Sequence, residues 1–160
     1  MKGIYTIPDF QNPTGITTSF AKKAGALKLL AQYERTAGHP LYLIEDAAYR
    51  ELRFQGEAVK SALAIRGYQD RVIYSGTYSK PFATGARVGF GLVPEPVLST
   101  VLRIKGNHDF GSSNLLQQLL ARALSSGRYE RHLTELRKRY ASKARVMRDA
   151  LTDHFPPEGE

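Results

Sequence analysis

Four consecutive apolar residues, Leu41-Tyr-Leu-Ile44, run straight into two acids, Glu45 and Asp46. A compact apolar run of that length, preceded by Gly38 and Pro40, reads as a buried strand whose carboxyl end opens into a polar region. The segments around it fall into the same rhythm. Residues 1–7 read as a strand, and Asn12-Pro-Thr-Gly15 as a turn, because these residue types permit sharp reversals. A helix follows, capped by Thr17 or Thr18, with Ala26, Leu29, Leu30 and Tyr33 at helical spacing until Gly38 stops it. After the central strand come a helical stretch at 61–66, a strand at 71–75, a glycine-containing polar loop at 76–86 and a strand at 88–93. Strand, helix, strand, helix, strand is the pattern of an α/β domain, in which helices flank a mostly parallel sheet in three layers. Beyond Pro94 the texture changes, and 97–104, 115–124 and 129–151 all read as helices.

The 160 residues are 42% hydrophobic, enough to bury a core. The absence of cysteine excludes a disulfide framework and a thiolate metal site, and makes an intracellular, cytoplasmic location the easier reading. No charge-free stretch is long enough for a bilayer span, so no membrane partner is expected. The four histidines, His39, His108, His132 and His154, are too scattered for a metal site. The net charge of +8 invites a nucleic-acid reading. Much of that charge, however, lies after Arg103, and adjacent residues such as Arg137, Lys138 and Arg139 fan out around a helix axis. A solvated helix surface accounts for them better. Tyr5, Tyr33, Tyr42, Tyr68 and Tyr74 are spread along the chain and are expected in the core or half-buried.

In open parallel sheets, ligands bind outside the carboxyl ends of the strands. Polar groups collect at three such ends here: Asn12 after the first strand; Asp46 and Tyr49 after the second; Thr77, Ser79, Lys80 and then Arg87 after the third. Singly, each has a plain explanation, as turn former, capping acid or surface lysine. Together, Phe10-Gln-Asn-Pro-Thr-Gly15, Glu45-Asp-Ala-Ala-Tyr49 and Ser75-Gly-Thr-Tyr-Ser-Lys-Pro-Phe-Ala-Thr-Gly-Ala-Arg-Val-Gly89 resemble, in order and spacing, the fold-type-I pyridoxal-phosphate enzymes, and among them the class I/II aminotransferases.

That resemblance implies an incomplete large domain at 1–105, then a helical connection and the start of a small domain at 106–160. It implies pyridoxal 5′-phosphate as cofactor, bonded by Lys80, with Asp46 against the pyridine nitrogen. Tyr49 and Asn12 would hydrogen-bond the ring's phenolic oxygen, and Thr77, Ser79 and Arg87 would hold the phosphate. The implied activity is amino-group transfer from an amino acid to a 2-oxo acid, in a homodimer. A subunit of this type is much longer. A phosphate-binding loop and ring-stacking aromatic are expected before Met1, and the arginine that clamps the substrate carboxylate beyond Glu160, so that the chain alone is expected to lack full activity. Two alternatives share the cradle: the aminotransferase-like sensor domain of a transcriptional regulator, which would bind nucleic acid only through a fused DNA-binding domain, and a carbon-sulfur lyase. Asn107, Asp109, Ser112 and Ser113 fall in the segment leading to the small domain, without assignable roles.

Overall fold

The structure, a computed structural model, describes residues 2–155. Four strands, β1 (Gly3–Thr6), β2 (Tyr42–Asp46), β3 (Val72–Thr77) and β4 (Gly89–Leu92), lie side by side in chain order. The first three are parallel, in register through Tyr5 with Ile44 and Asp46 with Ser75. β4 turns back antiparallel to β3, pairing Thr77 with Gly89. The mostly parallel sheet expected from the alternation of elements is therefore observed, with one antiparallel edge strand.

Helix α1 (Phe20–Ala37) connects β1 to β2. Its cap is Ser19, whose Oγ accepts from the Lys22 amide at 3.3 Å, and not Thr17 or Thr18. Those two threonines are spent on the preceding loop: Thr17 Oγ1 accepts from the Phe10 amide, and the Thr18 amide donates to the Pro8 carbonyl. The helix ends at Gly38, whose φ of 69° is the left-handed conformation that lets its amide reach back to Glu34 O. The buried face is Lys23, Leu27 and Leu30, so of the apolar positions 26, 29, 30 and 33 that mark the helix only Leu30 is buried. Leu29 and Tyr33 are 65% and 57% exposed. The i, i+4, i+7 set faces the sheet because Lys23 finds a buried acid there.

Leu27 and Leu30 pack with Leu41, Leu43, Ala62 and Val72 into the main core, which Ile4, Leu63, Ile65 and Tyr68 border. Fully burying one such leucine contributes roughly 1.5–3 kcal/mol. The helix expected at 61–66 shrinks to one 3₁₀ turn, Ala62–Ala64. Its entry is set by side-chain bonding to β2, described below, more than by helical propensity.

The carboxyl-terminal third is helical as expected, with longer elements: α2 (Glu95–Asp109), α3 (Asn114–Ser125) and α4 (Arg128–His154). Leu120 and Ala123 of α3 are buried with Tyr129 and Leu133 of α4. Tyr129 also meets Tyr78 and Phe82 edge-on or tilted, at 5.7 and 6.0 Å between ring centroids. Arg137 ties α4 to the segment after β2 by donating to the Glu51 carbonyl at 2.7 Å. The basic residues Lys138, Arg139, Lys143, Arg145 and Arg148 are exposed. No helix among the described residues is long and apolar enough to cross a membrane.

Candidate active site

Strand alternation sends the two acids at the end of β2 to opposite faces. Glu45, 1% exposed, points into the core. It accepts from Lys23 Nζ at 2.6 Å, from the Ala62 amide at 3.0 Å and from Ser61 Oγ. Lys23 donates in addition to the Lys60 carbonyl at 3.0 Å. Both charges are thus paired and hydrogen-bonded, as burial demands.

Asp46, on the other face and half-buried, accepts at Oδ2 from the Tyr5 phenol at 2.5 Å. Tyr5 lies two residues back on the same face of the neighbouring strand, opposite Ile44. The bond to Asp46, then burial and the carboxylate's charge, hold the phenol above its ordinary pKa of 10.0. Tyr5 is 59% exposed, so the expectation of a core or half-buried tyrosine fails there and at Tyr33, and holds for the half-buried Tyr42, Tyr68 and Tyr74.

Past Asp46, the Ala47 amide donates to Ser75 O at 2.9 Å, keeping the chain against β3 for one more residue before Tyr49. Lys80 Nζ stands 5.8 Å from the centroid of the Tyr49 ring, within cation–π range. The carboxyl ends of β2 and β3 therefore set the Lys80 amine beside the Tyr49 ring, in the segment that follows Asp46.

The end of β3 folds back onto its own loop. Thr77 Oγ1 accepts from the Ser79 amide at 3.1 Å and donates to Val88 O at a long 3.5 Å, and the Tyr78 amide donates to the same carbonyl at 2.9 Å. Arg87, the residue before Val88, is in the left-handed region with a φ of 47°. Few non-glycine residues adopt that conformation. Thr77 and Ser79 are half-buried; Lys80 and Arg87 are exposed.

Asn12 sits in the loop after β1, on the same end of the sheet. It is exposed, and among the described residues its side chain bonds none of the other candidate site residues. The loop's shape depends on neighbours that sequence reasoning passed over. Gln11 Oε1 accepts from the Thr14 amide at 3.1 Å and from its hydroxyl at 2.6 Å, while Gln11 Nε2 donates to Asn12 O at 2.7 Å. The Asn12–Pro13 peptide is cis. Asp9, 1% exposed, anchors the loop through Arg53 at 3.2 Å, and Arg50 approaches to 3.9 Å. The Arg53 guanidinium also lies 4.4 Å over the Phe10 ring. No local signal marks Asp9 or Tyr5, since both act through residues more than 40 positions away. Among the described residues, no group of three or more histidines and acids could hold a metal ion.

Residues 7–159 match the family described as aminotransferase class I and II. Aromatic-amino-acid aminotransferase 1 of Thermococcus litoralis is 34% identical over 99% of this chain and 36% of its own length. An uncharacterized HTH-type transcriptional regulator of Bacillus subtilis, YisV, is 36% identical over 95% of this chain and 29% of its own. Among solved structures, Pyrococcus horikoshii kynurenine aminotransferase in complex with PMP superposes with a TM-score of 0.85 at 34% identity, over 99% of this chain and 37% of that one. The chain spans about a third of the length of the curated relatives it matches. A mixed sheet with flanking helices, ordered motifs at three strand ends and a match over nearly every residue place the chain in the class I and II aminotransferase family.

Proposed function

We propose that this chain carries the cofactor-holding residues of a pyridoxal-phosphate-dependent aminotransferase, which moves an amino group from an amino acid to a 2-oxo acid. The observation that carries the reading is the Lys80 amine 5.8 Å from the Tyr49 ring, past the carboxyl ends of β2 and β3, the first of which ends in Asp46. The donor set suits the cofactor. The loop that Thr77 closes through the Ser79 amide and Val88 O also carries Ser79 and Arg87, and two hydroxyls with a guanidinium suit a dianionic phosphate. Asp46 offers a carboxylate to a protonated ring nitrogen, and Tyr49 and Asn12 offer hydrogen bonds to the ring's phenolic oxygen. Bound pyridoxal phosphate supplies an electron sink that acidifies the substrate's alpha carbon. The Lys80 amine would hold the cofactor, and when free it would be the base that takes the proton from the substrate's alpha carbon.

In the same reading, residues 1–105 belong to the large domain and 106–160 lead into the small one, and the working form is a cytoplasmic homodimer. A second reading, a sensor domain of a transcriptional regulator, is kept because the Bacillus subtilis regulator is 36% identical, beside 34% for the Thermococcus litoralis aminotransferase.

The test is an absorbance spectrum of the chain with added pyridoxal phosphate, before and after borohydride, beside Lys80→Ala. A visible band that borohydride fixes, absent from the variant and mapped to Lys80 by peptide mass, is expected. A band unchanged in Lys80→Ala refutes the assignment. Amino acid added to the full-length protein then separates the two readings: release of the 2-oxo acid marks the enzyme, and a spectral change without product marks the sensor.

A further inference from the structure

We propose that Tyr5 is a positioning residue for Asp46: its phenol holds Oδ2 of the carboxylate, so that Oδ1 is the oxygen offered to the ring nitrogen of the bound cofactor. The role rests on the cofactor reading above. A carboxylate has two equivalent oxygens and a broad, roughly two-fold terminal torsion, so a single donor that captures one oxygen fixes the plane and aim of the other. Tyr5 is placed to do this. It sits on β1, which is locked to β2 through the pairs from Gly3 with Tyr42 to Thr6 with Glu45. Its hydroxyl reaches Asp46 Oδ2 at 2.5 Å across 41 residues of sequence.

From beneath, the strand is held by the neighbouring Glu45, bonded to Lys23, Ser61 and Ala62. The backbone of Asp46 is thus set by the core and its side chain by Tyr5. The arrangement resembles the partners that orient metal ligands: a group in direct contact with the bound molecule is aimed by one that is not. The same bond keeps the phenol protonated, because ionising it would set a phenolate against the carboxylate.

The first arm of the test needs no cofactor. In protein labelled with tyrosine carrying carbon-13 at Cζ, with Tyr5 assigned by Tyr5→Phe, the Tyr5 resonance is expected to titrate above the ordinary 10.0 and to fall back toward it in Asp46→Ala. The second arm measures affinity for pyridoxal phosphate and for its deaza analogue, in which carbon replaces the ring nitrogen. Tyr5→Phe is expected to weaken pyridoxal phosphate about three- to tenfold, below the full worth of a bond to a charged group because the phenol is exposed, and to leave the analogue unchanged. Asp46→Ala is expected to abolish the preference between the two ligands. Equal weakening of both ligands, or a Tyr5 titration that ignores Asp46 while pyridoxal phosphate still binds, overturns the role of Tyr5 alone. With both arms run on the full-length protein, a native protein that binds neither ligand refutes the cofactor reading and takes this role with it.

Discussion

Replacing Lys23 by methionine keeps the length and most of the volume of the side chain and removes the charge that faces Glu45. The pair is buried on both sides, with 3% and 1% of the side chains exposed. The carboxylate left behind keeps two donors, the Ala62 amide and Ser61 Oγ, and loses its counter-charge at 2.6 Å. Removing one partner of a buried pair costs about 3–5 kcal/mol, and the two remaining donors set the expectation near the lower end, about 3 kcal/mol. With a urea slope of about 2 kcal/mol per molar, the unfolding midpoint falls by roughly 1.5 M. Changing Glu45→Gln in the Lys23→Met background removes the stranded charge while leaving an acceptor for Ser61 and Ala62, and is expected to restore about 1–2 kcal/mol. Urea titrations of the three proteins, followed by circular dichroism, give both numbers. A single variant within about 0.5 kcal/mol of native, or a double variant weaker than the single, refutes the claim that this pair anchors β2.

Glu34 accepts at one oxygen from Arg71 Nη2 and Nε, at 2.7 and 3.0 Å, and at the other from the Leu41 amide; these bonds hold its carboxyl below the ordinary 4.5. The unfolded chain therefore binds the proton first, so the stabilisation is complete above 4.5 and lost as pH falls through the lowered folded value. Urea midpoints measured between pH 6 and 3 are expected to fall less steeply in Glu34→Gln. Burial, then the charge of Glu51, pushes the Tyr129 phenol up from 10.0 to about 12. That contribution is intact below 10 and drains away between 10 and about 12, so Tyr129→Phe is expected to flatten the alkaline decline over that window. A Cβ on Gly76 would meet the Phe90 ring at 2.5 Å. The ring end it meets belongs to a side chain 47% exposed that can turn aside, so Gly76→Ala is expected to cost about 1 kcal/mol, and less in a Phe90→Leu background, by thermal unfolding. Arg53→Met takes from the buried Asp9 its 3.2 Å partner and is expected to speed amide exchange across residues 10–18 while β2 and β3 keep their protection.

The strands and the placement of polar groups at their ends were legible because both are local. The run Leu41 to Ile44 ends at two acids whatever packs on it, and the motif loops carry their own turn formers. What was not legible needed register. Periodicity can say that Glu45 and Asp46 face opposite ways, but not which one turns inward. That is decided by Lys23, 22 residues earlier, and by Ser61, 16 residues later. The buried face of α1 shows the same limit: positions 26, 29, 30 and 33 mark the helix, but of these only Leu30 is buried, beside Leu27 and a lysine, Lys23, that carries no hydrophobic signal. Tyr5 is the counterpart at the site. An exposed tyrosine on an edge strand reads as incidental until Tyr5 is set opposite Ile44, which puts its hydroxyl over the next residue on that face, Asp46. One acid is thus fixed from below by a lysine and its neighbour from beside by a phenol. The aim of Asp46 belongs to the sheet as a whole, and so the motif that contains it could mark its place but not its orientation.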